Sequence, residues 1–146
     1  LIKQLKSVNV IALEINFYDL AISLLKKRGI FDTVIQGEAN WSKGNLLETM
    51  QSVFDSETHL IPAISQKMQD QPFDVLFLTG VGEVYPYIRS HNVLNNLQTI
   101  CKEKPTVLFF PGEYRHSDET GTSLDLFGKL KNDPYYRAFN IYHYEL

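Results

Sequence analysis

The chain has 146 residues, a formal net charge of -3, and 44% hydrophobic and 21% charged residues, a composition typical of a globular protein with a buried core. The acidic balance gives no electrostatic reason to expect nucleic-acid or membrane binding, so we expect no membrane association and no direct DNA binding. The single cysteine, Cys101, excludes an intramolecular disulfide and a thiolate metal cluster. We therefore expect a cytoplasmic protein without metal or cofactor.

The N-terminal stretch predicts one βα unit. Residues 1–9, LIKQLKSVN, are typical of a helix that enters a strand, so we expect a chain truncated at its N-terminus. The short, apolar and β-branched stretch from Val8 to Ile15 predicts a buried strand. The next helix is predicted to begin after Asn16, as its N-cap, and to stop at Gly29. Its inner face is formed by Phe17, Leu20, Leu24 and Leu25.

A pair of helices is predicted next, between residues 45 and 70. Asn45 and Glu48 have the spacing of a capping box at the start of the first helix. The second helix has Pro62 in its first turn, where a missing N–H costs little. Its apolar face is formed by Leu60, Ile61, Ile64 and Met68.

Two more strands of the predicted four-stranded sheet follow, with a helix between them. The strands are Phe73 to Thr79 and Thr106 to Phe110, and the helix between them has an apolar stripe. The stripe consists of Val93, Leu94, Leu97, Ile100 and Cys101. A polar loop, a short helix capped by Ser123 and a last strand over Ala138 to His143 are predicted to follow.

The alternation of apolar strands with helices predicts an α/β fold. Parallel neighbouring strands need crossover connections, and these cover the sheet with helices. We therefore predict a single domain over residues 1–146 with a mostly parallel sheet and helices on both faces.

The stretch FLTGVGEVYPYIRSHNVLNNL, residues 77–97, has the general form of a phosphate-binding turn. It has neither the lysine and spacing of a Walker loop nor the third glycine of a dinucleotide fingerprint. Glu83 adds a negative charge where a phosphate would lie. We interpret Gly80 and Gly82 as a sharp turn, with Ser90 or Asn92 capping the following helix.

The stretch FFPGEYR, residues 109–115, predicts a second turn after a strand. Glu113 is displaced from the position of a Walker B acid. Glu113 and Asp74 would lie at opposite ends of parallel strands, and Arg115 replaces poorly the lysine of a metal nuclease. The sequence thus predicts neither ATPase nor nuclease activity and no catalytic residue. The histidines do not have metal-ligand spacing. His116, near Asp118 and Glu119, could bind a cation, but we expect a solvated loop residue.

Arginine beside tyrosine is the most informative side-chain pattern, because such sets recognise carboxylates, phosphates or the surface of a partner. Internal salt bridges, to Glu83 or Glu113, are the alternative explanation. The partner-binding candidates are Tyr85, Tyr87, Arg89, Glu113, Arg115, Tyr135, Tyr136 and Arg137. The first five are predicted to meet at the carboxyl edge of the sheet.

Four stretches resemble the BrxB component of bacterial BREX (bacteriophage exclusion) systems: ALEINFYDL, FLTGVGEVYPYIRSHNVLNNLQ, PTVLFFPGEY and SLDLFGKLKNDPYYRAFNI. The resemblance extends over nearly the whole chain. It implies a role in phage defence beside a DNA methyltransferase, a large ATPase and the alkaline-phosphatase-like protein PglZ. It implies no established reaction.

Together, these observations favour a noncatalytic assembly subunit whose preferred partner is PglZ, with contacts to other BREX subunits. Two alternatives stay open. One is a degenerate nucleotide-binding domain, and the other is a nucleic-acid adaptor with a local basic surface. The basic residues of that surface would be Lys26, Lys27, Arg28, Lys129 and Lys131.

Overall fold

The computed structural model describes residues 1–117, 121–130 and 138–144. The chain comprises two compact units, Leu1–Phe109 and Phe110–Leu146. That residues 1–146 form a single domain stays a prediction. Among the described residues, no helix is both long enough and apolar enough to cross a membrane.

The first unit is an α/β structure, as predicted, with a parallel sheet in the strand order β1-β2-β3. Its elements are α1 (Ile2–Ser7), β1 (Ala12–Asn16), α2 (Phe17–Lys27), α3 (Phe31–Glu38), α4 (Lys43–Val53), a π-helical turn (Ser56–Leu60), α5 (Ile61–Asp70), β2 (Val75–Thr79), α6 (Ser90–Ile100) and β3 (Thr106–Leu108). The prediction did not include α3.

One face of the sheet holds the most buried side chains of the unit. Both crossovers step in the same direction across the sheet, so right-handed connections place their helices on this face. Ile15 pairs with Leu78 in the β1–β2 register, and Leu78 is fully buried together with Ile64 of α5 and Val93 of α6. Burial of each such side chain contributes about 1.5–3 kcal/mol to the free energy of folding.

The opposite face carries α1. Glu14 pairs with Phe77 in the register, and both side chains line a groove of about 460 Å³ with the first residues of the chain. The full lining is Leu1, Ile2, Lys3, Glu14, Phe77, Thr79 and Phe109. The rings of Phe77 and Phe109 meet edge to face, with 5.4 Å between their centroids. The prediction of helices on both faces is therefore confirmed.

The contact between Asn16 and Gly80 joins the ends of β1 and β2. Asn16 Oδ1 accepts hydrogen bonds from the backbone N–H groups of Tyr18 (2.9 Å) and Asp19 (3.1 Å), so it caps α2 as predicted. Gly80 has φ +75°, and a Cβ on it would lie 2.8 Å from Asn16 Oδ1. Both the backbone conformation and the space therefore require glycine.

The chain between α1 and β1 makes a turn that shortens the predicted strand. The helical start of the chain is confirmed, since α1 ends at Ser7. Asn9 then has φ 61°, in the left-handed region that asparagine tolerates. The strand consequently begins at Ala12, not at Val8.

Two predicted helix starts are wrong. The capping box at Asn45 is not formed, because the hydroxyl of Ser42 accepts a hydrogen bond from the Asn45 N–H (3.1 Å) and begins α4 earlier. Neither Ser90 nor Asn92 is the N-cap of α6. Arg89 occupies that position and makes no side-chain cap bond.

The second unit contains an antiparallel hairpin of β4 (Gly112–Ser117) and β5 (Gly121–Leu126). The predicted polar loop and the helix capped by Ser123 are therefore wrong. Leu124, Phe127 and Leu130 have helical spacing, whereas Thr122, Leu124 and Leu126 alternate as in a strand, and all three members of this second set are buried.

The predicted last strand is also wrong. The described residues 138–144 contain a 3₁₀ helix, Ile141–His143, in place of a strand. The side chain of Asn140 accepts a hydrogen bond from the Tyr142 N–H at 3.1 Å. This local bond closes a turn and competes with an extended conformation.

The Gly80–Asn16 contact predicts that Gly80→Ala destabilises the first unit by about 2–4 kcal/mol, since left-handed strain and overpacking add. Gly29→Ala is the matched control, because Gly29 has φ +69° and a Cβ placed on it would meet no atom within 4 Å. It should cost about 1–2 kcal/mol. Urea unfolding of the three proteins measures both free energies, and equal losses would contradict the role of the contact.

Candidate functional site

The loop after β2, residues 80–89, is held by its own side chains. Val81, Val84 and Ile88 are buried. Gln51 Nε2 also donates a hydrogen bond to the carbonyl oxygen of Pro86 (3.3 Å). These contacts anchor the loop in the first unit.

The same loop presents the first group of partner-binding candidates. Tyr85 and Tyr87 are half-buried, while Arg89 and Glu83 are exposed. Within the described part of the chain, the Arg89 guanidinium makes no ion pair. Within residues 80–89, Arg89 and Glu83 therefore form no salt bridge, and the Arg89 charge faces solvent.

Glu113 and Arg115 belong to β4 and form an ion network with Asp125 of β5. Arg115 Nη2 lies 2.7 Å from Glu113 Oε2, and Arg115 Nε lies 3.2 Å from Asp125 Oδ2. Glu113 and Asp125 are directly opposite in the hairpin register, so the guanidinium separates two like charges. The hydrogen bond and charge of Glu113, and then the charge of Asp125, raise the pKa of Arg115 above its ordinary value.

Asp125 is the buried member of this network, and sequence reasoning missed it. Its side chain is 6% exposed, against 57% for Arg115. The period-two pattern of Thr122, Leu124 and Leu126 was the signal that could have placed Asp125 on a strand. Its pairing with Arg115, however, depends on the register of two strands.

The predicted meeting of five candidates at one sheet edge stays a prediction. Tyr85, Tyr87 and Arg89 belong to the first unit, whereas Glu113 and Arg115 belong to the second. Glu113 lies in a strand and not in a turn after β3. The remaining candidates, Tyr135, Tyr136 and Arg137, lie outside the described residues.

A cavity of about 260 Å³ lies at the carboxyl end of β1. Its lining consists of Glu14, Ile15, Asn16, Asp19, Leu20 and Lys67. Thr79 Oγ1 donates a hydrogen bond to Glu14 Oε1 (2.9 Å). Two carboxylates and one ammonium give this cavity a negative formal charge, which disfavours a polyphosphate.

Two residues considered for catalysis or metal binding make structural contacts. Asp74 Oδ2 accepts a hydrogen bond from the Ile11 N–H (2.7 Å), where β1 and β2 begin. His116 Nδ1 lies 3.2 Å from Thr122 Oγ1 across the hairpin. Across residues 1–117, 121–130 and 138–144, no group of three or more metal-ligating side chains converges.

The ion network predicts that Arg115→Gln weakens the hairpin, because the buried Asp125 carboxylate loses its counter-charge and faces Glu113. The double variant Arg115→Gln/Asp125→Asn should recover part of the loss. Hydrogen exchange of the β4 and β5 amides measures the effect locally. Arg89→Gln is the control and should leave these amides unchanged; equal protection in all the variants would contradict a stabilising role for the network.

Comparison with known proteins reveals two similar chains. A BREX protein BrxB from Bacillus cereus (strain H3081.97) is 35% identical over 131 residues, which cover 88% of this chain and 65% of that protein. A BREX protein BrxB from Escherichia coli O9:H4 (strain HS) is 27% identical over 127 residues, covering 87% of this chain and 60% of that protein. The chain thus spans less than two thirds of the length of either relative.

No solved structure matches the chain. The model of the family described as BREX protein BrxB matches residues 13–141. This range includes the carboxyl ends of β1 and β2 and the loop after β2. The resemblance found in the sequence is confirmed, and the chain belongs to the BrxB family.

Proposed function

We propose that the chain acts in BREX phage defence as a noncatalytic assembly subunit and that PglZ is its principal partner. Membership of the BrxB family supports the place in a BREX system. The observation on which the assembly role rests is the exposed side chain of Arg89 in a loop that also carries the half-buried Tyr85 and Tyr87. Arginine and tyrosine are the residue types that most often dominate protein–protein binding energy.

The anchoring of the loop by buried side chains strengthens this interpretation. Val81, Val84 and Ile88 anchor residues 80–89 in the first unit, so little conformational entropy is lost when a partner binds. Among the described residues, Arg89 makes no ion pair that it would have to break in order to bind a partner carboxylate. Its charge is available to an acidic group on the partner.

The charges of the chain favour assembly over the two alternatives. The carboxylates of Glu14 and Asp19 in the cavity at the end of β1 oppose a nucleoside triphosphate. Nucleic-acid binding is disfavoured because two basic side chains at the end of α2 already make contacts within the chain. Lys26 Nζ lies 5.3 Å from the centroid of the Phe31 ring, and Arg28 donates a hydrogen bond to a backbone carbonyl at 3.2 Å.

We expect the full chain and PglZ from the same BREX system to form a stable complex. We expect a dissociation constant in the low micromolar range or tighter, which corresponds to a binding free energy of about -8 kcal/mol or stronger. Size-exclusion chromatography of the mixture at tens of micromolar, roughly tenfold above that constant, should give one co-migrating peak. Two independent peaks would contradict PglZ as the partner.

Arg89→Ala should weaken this complex by about tenfold or more, since anchor residues often cost more than about 1–2 kcal/mol when truncated. Lys27→Ala, which removes a different exposed cation, is the matched control and should bind like the wild type. Biolayer interferometry with immobilised PglZ gives both constants. ATP hydrolysis by the wild-type chain that disappears in Arg89→Ala would contradict a noncatalytic role.

A further inference from the structure

Residues 138–144 present a cluster of large apolar side chains to solvent. The most exposed are Tyr142 at 96% and Phe139 at 79%. The complete set is Phe139, Ile141, Tyr142 and Tyr144. The stretch AFNIYHY contains no acidic residue, lysine or arginine. It is therefore an exposed aromatic segment.

The backbone of this segment is nevertheless anchored to the hairpin. The Tyr114 hydroxyl donates a hydrogen bond to the Ala138 carbonyl oxygen (3.0 Å). The Tyr114 ring meets the His143 ring edge to face, with 5.8 Å between their centroids. The Asn140 side chain caps the 3₁₀ helix through the Tyr142 N–H. The backbone is held while the side chains stay exposed, and such preorganisation lowers the entropy cost of binding.

The arrangement of the side chains indicates the shape of the partner. Phe139 and Tyr144 form an edge-to-face pair with 6.5 Å between ring centroids, and Tyr142 projects separately from the 3₁₀ turn. A short turn with projecting rings is convex, so its complement is a concave apolar pocket. The hydroxyl groups of the two tyrosines would reach hydrogen-bond partners at the rim of that pocket.

Charge distinguishes a protein from a nucleic acid or an anionic membrane as the partner. Stacking on single-stranded nucleic acid requires cations along the phosphate path, and residues 138–144 supply none apart from a titratable histidine. The whole chain has a formal charge of -3, which repels phosphates further. An uncharged apolar pocket on a folded protein is the complementary surface.

We infer that residues 138–144 insert Tyr142 and the Phe139–Tyr144 pair into an apolar pocket on another BREX protein. The inference rests on the proposed assembly function and specifies which surface and which chemistry it uses. It differs from the Arg89 contact, which lies in the first unit and recognises an acidic group. The two surfaces belong to different compact units and can be tested separately.

The first test measures the affinity of the full chain for PglZ after Tyr142→Ala and Phe139→Ala. Each should weaken binding by about tenfold or more with an unchanged circular dichroism spectrum, because both side chains are exposed. Tyr142→Phe should retain most of the affinity. Tyr18→Ala is the matched control, since Tyr18 is 48% exposed on α2, and it should bind like the wild type.

The second test separates this inference from the identity of the partner. A photo-crosslinking phenylalanine analogue is placed at position 142, or at position 18 as the control, in cells that express the whole BREX operon. A crosslink from position 142 to PglZ supports both proposals. A crosslink to a different BREX protein, with affinity for that protein lost in Tyr142→Ala, supports the pocket and contradicts PglZ.

Three results would overturn the inference. They are unchanged affinity of both alanine variants for the BREX protein to which position 142 crosslinks, crosslinks from position 142 only to nucleic acid or to a second copy of the chain, and no crosslink to any BREX protein. If wild-type chain and PglZ still co-migrate while the variants bind normally, the assembly function stands and only the aromatic contact is lost.

Discussion

The burial of β2 between β1 and β3 is the constraint on which the first unit depends. A strand with neighbours on both sides satisfies its backbone groups within the sheet, and residues Val75–Leu78 are buried on both faces. Parallel pairing then brings the carboxyl ends of β1 and β2 side by side. This juxtaposition is what places Asn16 against Gly80 and fixes where the loop of residues 80–89 begins.

The second unit depends on interactions of a different kind. A two-stranded hairpin has little apolar surface to bury and is marginally stable alone. Here Arg115 pairs with Glu113 on its own strand and with Asp125 on the opposite strand. Tyr114, the residue before Arg115, contacts Ala138 and His143. The order of the exposed aromatic segment therefore depends on the hairpin, because Tyr114 belongs to β4.

Local signals account for the elements that the sequence predicted correctly. For the apolar run of β2 and the Asn16 cap of α2, local sequence preference and tertiary packing favour the same secondary structure. β5 was missed because Leu124, Phe127 and Leu130 fit a helix as well as alternate residues fit a strand. Only pairing with β4 decides between them, and pairing depends on residues distant in sequence. The Arg115–Asp125 contact was unpredictable for the same reason.

The two candidate arginines that the structure describes, Arg89 and Arg115, differ in how readily they can recognise a partner. Arg115 is already bonded to Glu113 at 2.7 Å, with Asp125 at 3.2 Å. A partner carboxylate that recruited Arg115 would leave the buried Asp125 charge uncompensated, and that loss would offset the gain. Arg89 has no such pair among the described residues, so a contact with it costs mainly the ordering of one exposed side chain. The difference follows from tertiary pairing, although both arginines stand beside tyrosines in the sequence. We therefore propose Arg89 as the stronger anchor for a partner, while Arg115 pairs within the hairpin of the second unit.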